Sequence, residues 1–253
     1  MNSSANLLLL AGIKEELKAI FDEIPFDYSK ELRAYRSQLH HNIYAVTLGP
    51  GLKKKSELAS LIARIKPEMV INAGLVGLLN ERSKLPIGAR VHPAFIGSSQ
   101  GKTGYNLTGR DEGLITVAHP VFEPDEKNEL ALRFQAGFCD MEAYPLIEFI
   151  SSQKMLAETN GIKLIFCKVI GDRPEHYPLF RHEALMRGFS QKSLVARLVF
   201  AVGFPGGIYN LVKLIRIKQK ALKSLGKEVK ELIKEILSSA KNTDKLDNTL
   251  YLK

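Results

Sequence analysis

The sequence predicts an α/β fold, in which helices cover both faces of a sheet, from two alternating patterns. Short aliphatic runs that end at glycine recur along the chain, and such runs are typical of buried strands. They are NLLLLAG (ending at Gly12), NIYAVTLG (Gly49), EMVINAG (Gly74) and KLIFCKVIG (Gly171). Between them, KEELKAIFDEI and SELASLIARI carry apolar residues at the spacing of an amphipathic helix. Strands that alternate with helices favour a sheet with helices on both sides.

The individual elements follow in chain order. The first apolar run, 6–10, is too short for a signal peptide and no basic residue precedes it, so we expect a buried strand. Lys66-Pro67 ends the second helix, because proline disfavours helical geometry in the residue before it. RFQAGFCDM predicts a further strand. From Ala143, apolar residues at helical spacing predict a helix with Pro145 in its first turn, where proline is tolerated.

Length and composition predict one domain. The chain has 253 residues, of which 45% are hydrophobic, and this suffices for one α/β domain with a substantial core. We expect a single domain over residues 1–253, with a helical insertion at about 190–220 and a C-terminal amphipathic helix. Cys139 and Cys167 lack the spacing of a metal site, and the six histidines form no HExxH-like pair. The sequence therefore predicts a reduced, cytoplasmic protein without a metal.

The positive charge is concentrated near the end of the chain. Of the net charge of +9, the part from Lys213 onward contributes +6, from eleven Lys/Arg and five Asp/Glu, so the rest is nearly neutral. A basic tail can bind nucleic acid. However, the sequence contains no basic patch interleaved with aromatic residues and no known nucleic-acid motif. We therefore expect no nucleic-acid partner.

The segment Leu198–Ile215 is nearly uncharged, and Lys213 is its one basic residue. Its 18 residues are the shortest length that can cross a bilayer, and Pro205-Gly206-Gly207 interrupts them, so two helices joined by a turn are favoured over a membrane span. These helices can pack on a second subunit of a homo-oligomer or make peripheral contact with a membrane. The following RIKQKALKSLGKEVKELIKEIL predicts an amphipathic helix. Its apolar stripe is Leu222, Leu225, Val229, Leu232, Ile233 and Ile236.

Acidic residues and glycines gather where the predicted strands end. Glu16 follows the first strand, Gly49-Pro50-Gly51 the second and Asp172 the KLIFCKVIG strand, while Asp140 and Glu142 follow RFQAGFC. In open α/β sheets, ligands bind outside the carboxyl ends of the strands. Acids beside a core are costly unless a ligand or solvent uses them. We therefore expect a binding site at this edge, and the alternative role of each acid is a local helix cap or salt bridge.

The order of several motifs carries a family resemblance. KPEMVINAGLVGLLN, LPIGARV, CDMEA and KVIGD follow one another along the chain. They resemble the nucleoside phosphorylase and nucleosidase superfamily, which includes methylthioadenosine/S-adenosylhomocysteine nucleosidases, futalosine hydrolases and purine nucleoside phosphorylases. AGIKEEL resembles the segment that supplies a catalytic glutamate in the nucleosidases, and LGPGLKKKSELAS resembles the family's SGIGK loop and following helix. The resemblance extends from about Leu7 to about Asp172 and implies a three-layer α/β/α domain with a mixed central sheet.

The resemblance also implies a reaction, which is cleavage of the N-glycosidic bond of a purine nucleoside of the adenosine type. Glu142, with the backbone at Met141, would hold the ribose hydroxyls, since a carboxylate offers only acceptors to a diol. Asp172 would protonate or hydrogen-bond the leaving purine. Glu16 would position or deprotonate the attacking water. No cofactor is implied, although phosphate is possible as a co-substrate.

Four further residues are implied as ligand contacts. Gly74 and Gly77 would let the backbone approach the ligand closely. Val121 and Phe122 align with a segment that flanks the base, and Phe122 would offer an aromatic face. A large aromatic residue such as Phe122 is equally typical of a core.

Some positions depart from the family pattern. Gly171 stands where a serine usually precedes the catalytic aspartate, Pro174 replaces a small residue, and INAGLVGL replaces INTGSAGG, which removes a hydroxyl near the sugar. These changes concern the identity of the substrate more than the type of reaction. The GDPxR phosphate loop of the larger phosphorylases is not visible, which favours water as the nucleophile. Lys53–Lys55 beside Gly49 and Gly51 keep an anion site open, although a solvated helix face is favoured for these lysines.

Two alternatives to a nucleosidase remain open. LITVAHPVFEPDEKNEL and LVFAVGFPGGIYNLVKLI resemble the hopanoid-associated phosphorylase branch of the superfamily, which implies a phosphorylase that acts on a lipid-linked adenosine. The other alternative is a non-catalytic nucleoside-binding protein that has kept the fold. Retention of Glu16, Glu142 and Asp172 favours an enzyme.

Overall fold

A computed structural model of the chain describes residues 6–80, 84–101, 104–152, 161–176, 207–238 and 249–252. Within these ranges, twelve strands form a mixed sheet, and helices pack against both of its faces. The predicted α/β architecture with a mixed central sheet is confirmed.

The strands and helices have the following bounds. The strands are β1 (Leu7–Ala11), β2 (Phe26–Ser29), β3 (Ala34–Ser37), β4 (Ile43–Thr47), β5 (Met69–Leu78), β6 (Arg90–Val91), β7 (Phe95–Ser98), β8 (Tyr105–Asn106), β9 (Gly113–Thr116), β10 (Ala136–Asp140), β11 (Ile162–Asp172) and β12 (Thr249–Leu252). The helices are α1 (Lys14–Phe21), α2 (Lys55–Ile65), α3 (Pro124–Phe134), α4 (Ala143–Ser152) and α5 (Gly207–Ser238), and Pro174–His176 forms a short 3-10 helix.

The long strands β5 and β11 form the centre of the sheet. They pair in parallel from Met69 and Lys163 to Gly77 and Asp172, and β1 pairs in parallel with the first half of β5. β10 pairs with the end of β5 in the antiparallel direction, with Cys139 opposite Gly77. The ends of β1, β5, β10 and β11 therefore meet in one region, where open α/β sheets bind their ligands.

Alternating side chains of the strands build two hydrophobic cores, one on each face of the sheet. In β1, Leu7 and Leu9 face a core that contains residues of α1 and α5, whereas Leu8 and Leu10 face a core that contains residues of α2 and α4. All four leucines are almost fully buried. This two-sided burial explains why the strand is an uninterrupted apolar run.

The strand predicted to end at Gly74 is longer in the structure. β5 continues to Leu78, because β11 pairs with it as far as Gly77. Gly74 instead makes room for a carboxylate, since a Cβ atom at this position would lie 3.2 Å from Glu16 Oε1. The glycine thus marks a close approach of a side chain rather than the end of a strand.

The segment after Gly207 and the predicted amphipathic helix form one continuous helix, α5. Its apolar stripe is buried from Leu225 to Ile236 and packs against α1 and the sheet. Residues 190–206 of the expected insertion lie outside the described residues. In the part of the chain that the structure describes, no helix has both the length and the apolar character needed to cross a membrane.

Candidate active site

A cavity of about 650 Å³ lies where β1, β5, β10 and β11 end. Its wall includes Glu16, Asp140, Glu142 and Asp172, the acids that the sequence places at strand ends. Lys218 and Leu222 of α5 line another part of the wall. The volume lies within the range of small-molecule binding sites.

Glu16 is fixed by backbone donors from two elements. Its Oε2 accepts hydrogen bonds from the N–H groups of Gly12 (2.9 Å) and Ile13 (3.1 Å), and its Oε1 accepts one from Leu75 (2.8 Å). Burial raises the pKa of Glu16, although the backbone donors and the Lys168 ammonium act in the opposite direction. A carboxylate with a raised pKa is a better proton acceptor near neutral pH.

Glu142 and Glu16 lie close together, both next to the space that Gly12 leaves open. A Cβ atom on Gly12 would lie 3.0 Å from Glu142 Oε1 and 3.3 Å from Glu16 Oε2, so a larger residue would displace a carboxylate. Burial raises the pKa of Glu142 to about 7, assisted by the charges of Asp140 and Glu16 and opposed by Lys168. Negative charges on neighbouring carboxylates disfavour ionisation of all of them together. Glu142 therefore changes its protonation state near neutral pH.

A buried ion pair lies beside the two glutamates. Lys168 Nζ is 2.8 Å from Asp140 Oδ2, and the two side chains are 1% and 0% exposed. Asp140 also accepts hydrogen bonds from Thr116 Oγ1 (2.7 Å) and from the first backbone N–H of α4 (3.0 Å). Burial by itself lowers the pKa of Lys168, but the carboxylates of Asp140, Glu142 and Glu16 outweigh it and raise this pKa. Lys168 thus places one positive charge next to three acids.

A second buried lysine pairs with Asp172, the last residue of β11. Lys127 Nζ forms an ion pair with Asp172 Oδ2, and the Lys127 side chain is 1% exposed. Asp172 Oδ1 lies against Gly77, where a Cβ atom would come within 3.0 Å of it. The Asp172 side chain keeps 19% of its surface exposed and lines the cavity. The cavity therefore contacts the carboxylate, while the ammonium lies behind it.

Most of the other predicted site residues also line the cavity. These are Met141, Gly77, Val121 and Phe122. Phe122 is half-buried and packs against Leu214 of α5, so it combines a core contact with a place in the wall. Gly74 is not part of the wall and packs against Glu16 and Lys168.

The loop after β4 reaches the cavity through Pro50. Gly49 and Gly51 adopt φ angles of 74° and 67° there, a backbone region that glycine enters without strain. None of the lysines at 53–55 lines the cavity, and two of them are exposed, which agrees with a solvated face rather than an anion site. Across the described residues, no group of three or more His, Cys, Asp or Glu side chains is placed to hold a metal ion.

Sequence reasoning assigned no role to Lys127 or Lys168, and for Asp140 it offered only a local helix cap or salt bridge. Lys168 lies inside an aliphatic strand, and a lysine in such a place must be paired with an acid, so its position was a usable signal. Lys127 lies on α3, a helix that was not predicted. Pro124 at the first turn of α3 is a typical helix start and could have revealed it.

Known proteins resemble this chain in structure. The chain matches no protein-family model and no curated protein. The ligand-free 5′-methylthioadenosine nucleosidase of Arabidopsis thaliana is 13% identical, with a TM-score of 0.63 over 96% of this chain and 99% of that one. Futalosine hydrolase of Helicobacter pylori is 11% identical, with a TM-score of 0.61 over 91% and 98%. This chain has the fold of these nucleosidases.

A third structure extends the comparison to a ligand complex. The Chlamydia trachomatis nucleosidase bound to MTA is 14% identical, with a TM-score of 0.55 over 93% of this chain and 99% of that one. The fold that the resemblance implies is thus confirmed. Because a shared fold does not determine function, the chemistry of this chain depends on its own side chains.

Proposed function

We propose that this protein cleaves the N-glycosidic bond of a purine nucleoside of the adenosine type and releases the base. The proposal is carried by the convergence of Glu16, Glu142 and Asp172 on one cavity of a nucleosidase fold. Binding alone would need an acceptor for the sugar, but it would not need a separate proton acceptor and a further acid at the base. The three acids therefore favour an enzyme over a nucleoside-binding protein.

Each acid has surroundings that suit one task. Glu142, when ionised, accepts hydrogen bonds from the two ribose hydroxyls. Glu16 is held rigidly by three backbone donors and has a raised pKa, so it orients the attacking water and takes its proton. Asp172 contacts the departing purine and supplies a proton to it as the glycosidic bond breaks. The Lys168 ammonium offsets part of the negative charge that the glutamates carry before Glu16 takes up that proton.

Base release in the presence and absence of phosphate tests the proposal and identifies the acceptor. Adenosine and 5′-methylthioadenosine (MTA) are the first substrates to compare, because a nucleosidase of this fold has been solved with MTA bound. For a nucleosidase, the rate of adenine release is independent of phosphate and the other product is the free sugar. A phosphorylase requires phosphate and forms the sugar 1-phosphate. Tight nucleoside binding without any base release would indicate a binding protein.

Substitution of Glu142 by glutamine should weaken ribonucleosides far more than 2′-deoxynucleosides. The amide keeps the shape of the side chain but replaces one acceptor oxygen by a donor, which leaves one ribose O–H without its acceptor at a cost of about 1–3 kcal/mol. A deoxynucleoside already lacks one of these hydroxyls. Calorimetric titration with both sugars measures the difference, and equal losses would show that Glu142 supports the structure instead of the sugar.

The affinity for ribonucleosides should also depend on pH through Glu142. Its pKa of about 7 is raised above the ordinary value, so the acceptor form is present above pH 7 and is lost as the pH falls through that value. Binding should therefore weaken on acidification from pH 8 to pH 6, and the Glu142→Gln variant should lack this dependence.

The alternative of a lipid-linked substrate receives support from the surface of α5. Tyr209, Val212 and Ile215 are 70%, 41% and 44% exposed, and the exposed Lys213 and Arg216 lie next to them in the sequence. Apolar side chains beside basic ones suit an anionic bilayer surface, where each basic residue adds about 1 kcal/mol to binding. A nucleoside with an apolar tail would then meet the enzyme at a membrane.

Co-sedimentation with vesicles that contain phosphatidylserine tests this surface. We expect binding at low salt that weakens as salt is added and when Lys213, Arg216 and Lys220 are replaced by glutamine. Replacement of Lys223 and Lys227, further along the same helix, is the matched control and should have a smaller effect. Wild-type protein that stays in the supernatant at low salt would instead favour packing of this surface on a second subunit.

A further inference from the structure

The ion pair between Lys127 and Asp172 is a feature that the proposed reaction does not by itself require. α3 has one fully buried side chain, and that side chain is Lys127. Leucine would be the ordinary residue for such a position, while Leu132 of the same helix is 82% exposed. A buried ammonium is costly unless it is paired. The buried position of α3 therefore holds a cation paired with Asp172 in place of an apolar side chain.

Of the two residues in the ion pair, Asp172 lines the cavity and Lys127 does not. Lys127 contacts Asp172 through Oδ2 and is absent from the cavity wall, whereas Asp172 is part of the wall. α3 begins next to this cavity, since Val121 and Phe122, which lie just before its start, line the wall. The ammonium is therefore positioned to act on a ligand through Asp172 and not by direct contact.

We propose that Lys127 is a positioning residue that sets the pH range in which Asp172 can give up a proton to the leaving base. This inference rests on the proposed function. When the bond between the ribose and the purine breaks, its electron pair passes to the purine, which takes the proton from Asp172. The new negative charge on Asp172 is then stabilised by the Lys127 ammonium, since an opposite charge in contact favours the ionised carboxylate.

Other charged residues in the described part of the chain lie near Asp172. Arg173, Glu175 and His176 follow it in the chain, and Lys213 of α5 acts on His176. Burial raises the pKa of the Cys139 thiol on β10 to about 12, and the nearby charge of Asp172 adds to this effect. The thiol therefore remains neutral. Of these groups, Lys127 forms an ion pair with Asp172.

The consequence is a defined shift in the pH profile. Asp172 must hold a proton to act, so activity falls at high pH as the aspartate ionises. Lys127→Gln removes the charge that favours ionisation and should move the high-pH limb of kcat/KM upward by about 1 pH unit or more, the usual scale for a contacting charge. It should also lower kcat at the plateau, because the product carboxylate loses its counter-ion. Lys127→Arg keeps the charge and should leave the limb near its wild-type position.

A titration without substrate separates this inference from the proposed function. The aspartate carboxyl groups are followed by carbon-13 NMR, with Asp172→Asn to assign the signal and the exposed Lys223→Gln as the charge control. We expect the Asp172 midpoint to rise in Lys127→Gln and to stay in place in the control. An unchanged midpoint would overturn the inference. If the wild type releases no base while this midpoint still shifts, the proposed reaction fails and the electrostatic role of Lys127 stands.

A second comparison applies if Lys127→Gln unfolds. The double variant Lys127→Gln/Asp172→Asn removes both charges, so it should have a higher melting temperature than Lys127→Gln alone. A double variant that is no more stable than the single one would show that Lys127 serves packing, and would contradict the proposal.

Discussion

Replacement of Lys168 by methionine should lower the free energy of unfolding by about 3–5 kcal/mol, the usual loss when one partner of a buried ion pair is removed. Methionine fills a similar volume, so the loss is electrostatic rather than a cavity effect. Without the ammonium, Asp140, Glu16 and Glu142 are left as buried carboxylates without their shared counter-ion. Urea unfolding followed by circular dichroism measures the change.

The pH dependence of this loss identifies its cause. Lys168 lowers the pKa of Glu142, so its removal raises the folded-state value further above the unfolded one. A raised carboxyl pKa contributes stability at low pH that is lost as the pH rises through the folded value. The Lys168→Met variant should therefore be most destabilised at pH 8 and less so at pH 5. Lys168→Arg keeps the charge and is the control, and an equal loss at both pH values would contradict the counter-ion role.

Asp172→Asn should reduce turnover by about 100-fold or more, the usual scale for loss of a general acid. Asparagine retains the shape and can hydrogen-bond the base, but it has no acidic proton to give to the leaving purine. Nucleoside affinity should change much less than kcat. Steady-state kinetics of base release, together with calorimetric binding of the nucleoside, separate the two effects.

The loss of Asp172 also leaves Lys127 unpaired, so a control for folding is needed. Lys127→Gln/Asp172→Asn removes both charges and should fold, yet remain as inactive as Asp172→Asn. Near-normal turnover in a folded Asp172→Asn variant would remove Asp172 from the mechanism.

The strands that build the centre of the fold could be predicted because they are buried on both faces. β1 is a continuous aliphatic run, and β11 is apolar from Leu164 to Cys167 and again at Val169 and Ile170. The short strands β6 and β8 have two residues each and depend on their partners, so no local pattern marks them. The end of β5 was misplaced because the role of Gly74 is set by Glu16, which is distant in sequence.

The carboxylates of the site were found from the sequence, but their cations were not. Glu16, Glu142 and Asp172 follow strand ends, which is a local property. The pairing of Lys168 with Asp140 and of Lys127 with Asp172 depends on which strands and helices lie side by side. A single sequence shows that a lysine inside an apolar strand needs a partner, and the fold is required to show which acid it is.

The most direct test of the account is the release of adenine from purine ribonucleosides by the purified wild-type protein. Adenosine and 5′-methylthioadenosine are incubated at several pH values from 5 to 8, and free base is separated by chromatography, with Asp172→Asn as the matched control. The account predicts base release by the wild type and a rate lower by about 100-fold or more in the variant. Equal rates in the two proteins, or nucleoside binding by the wild type without release of base, would contradict it.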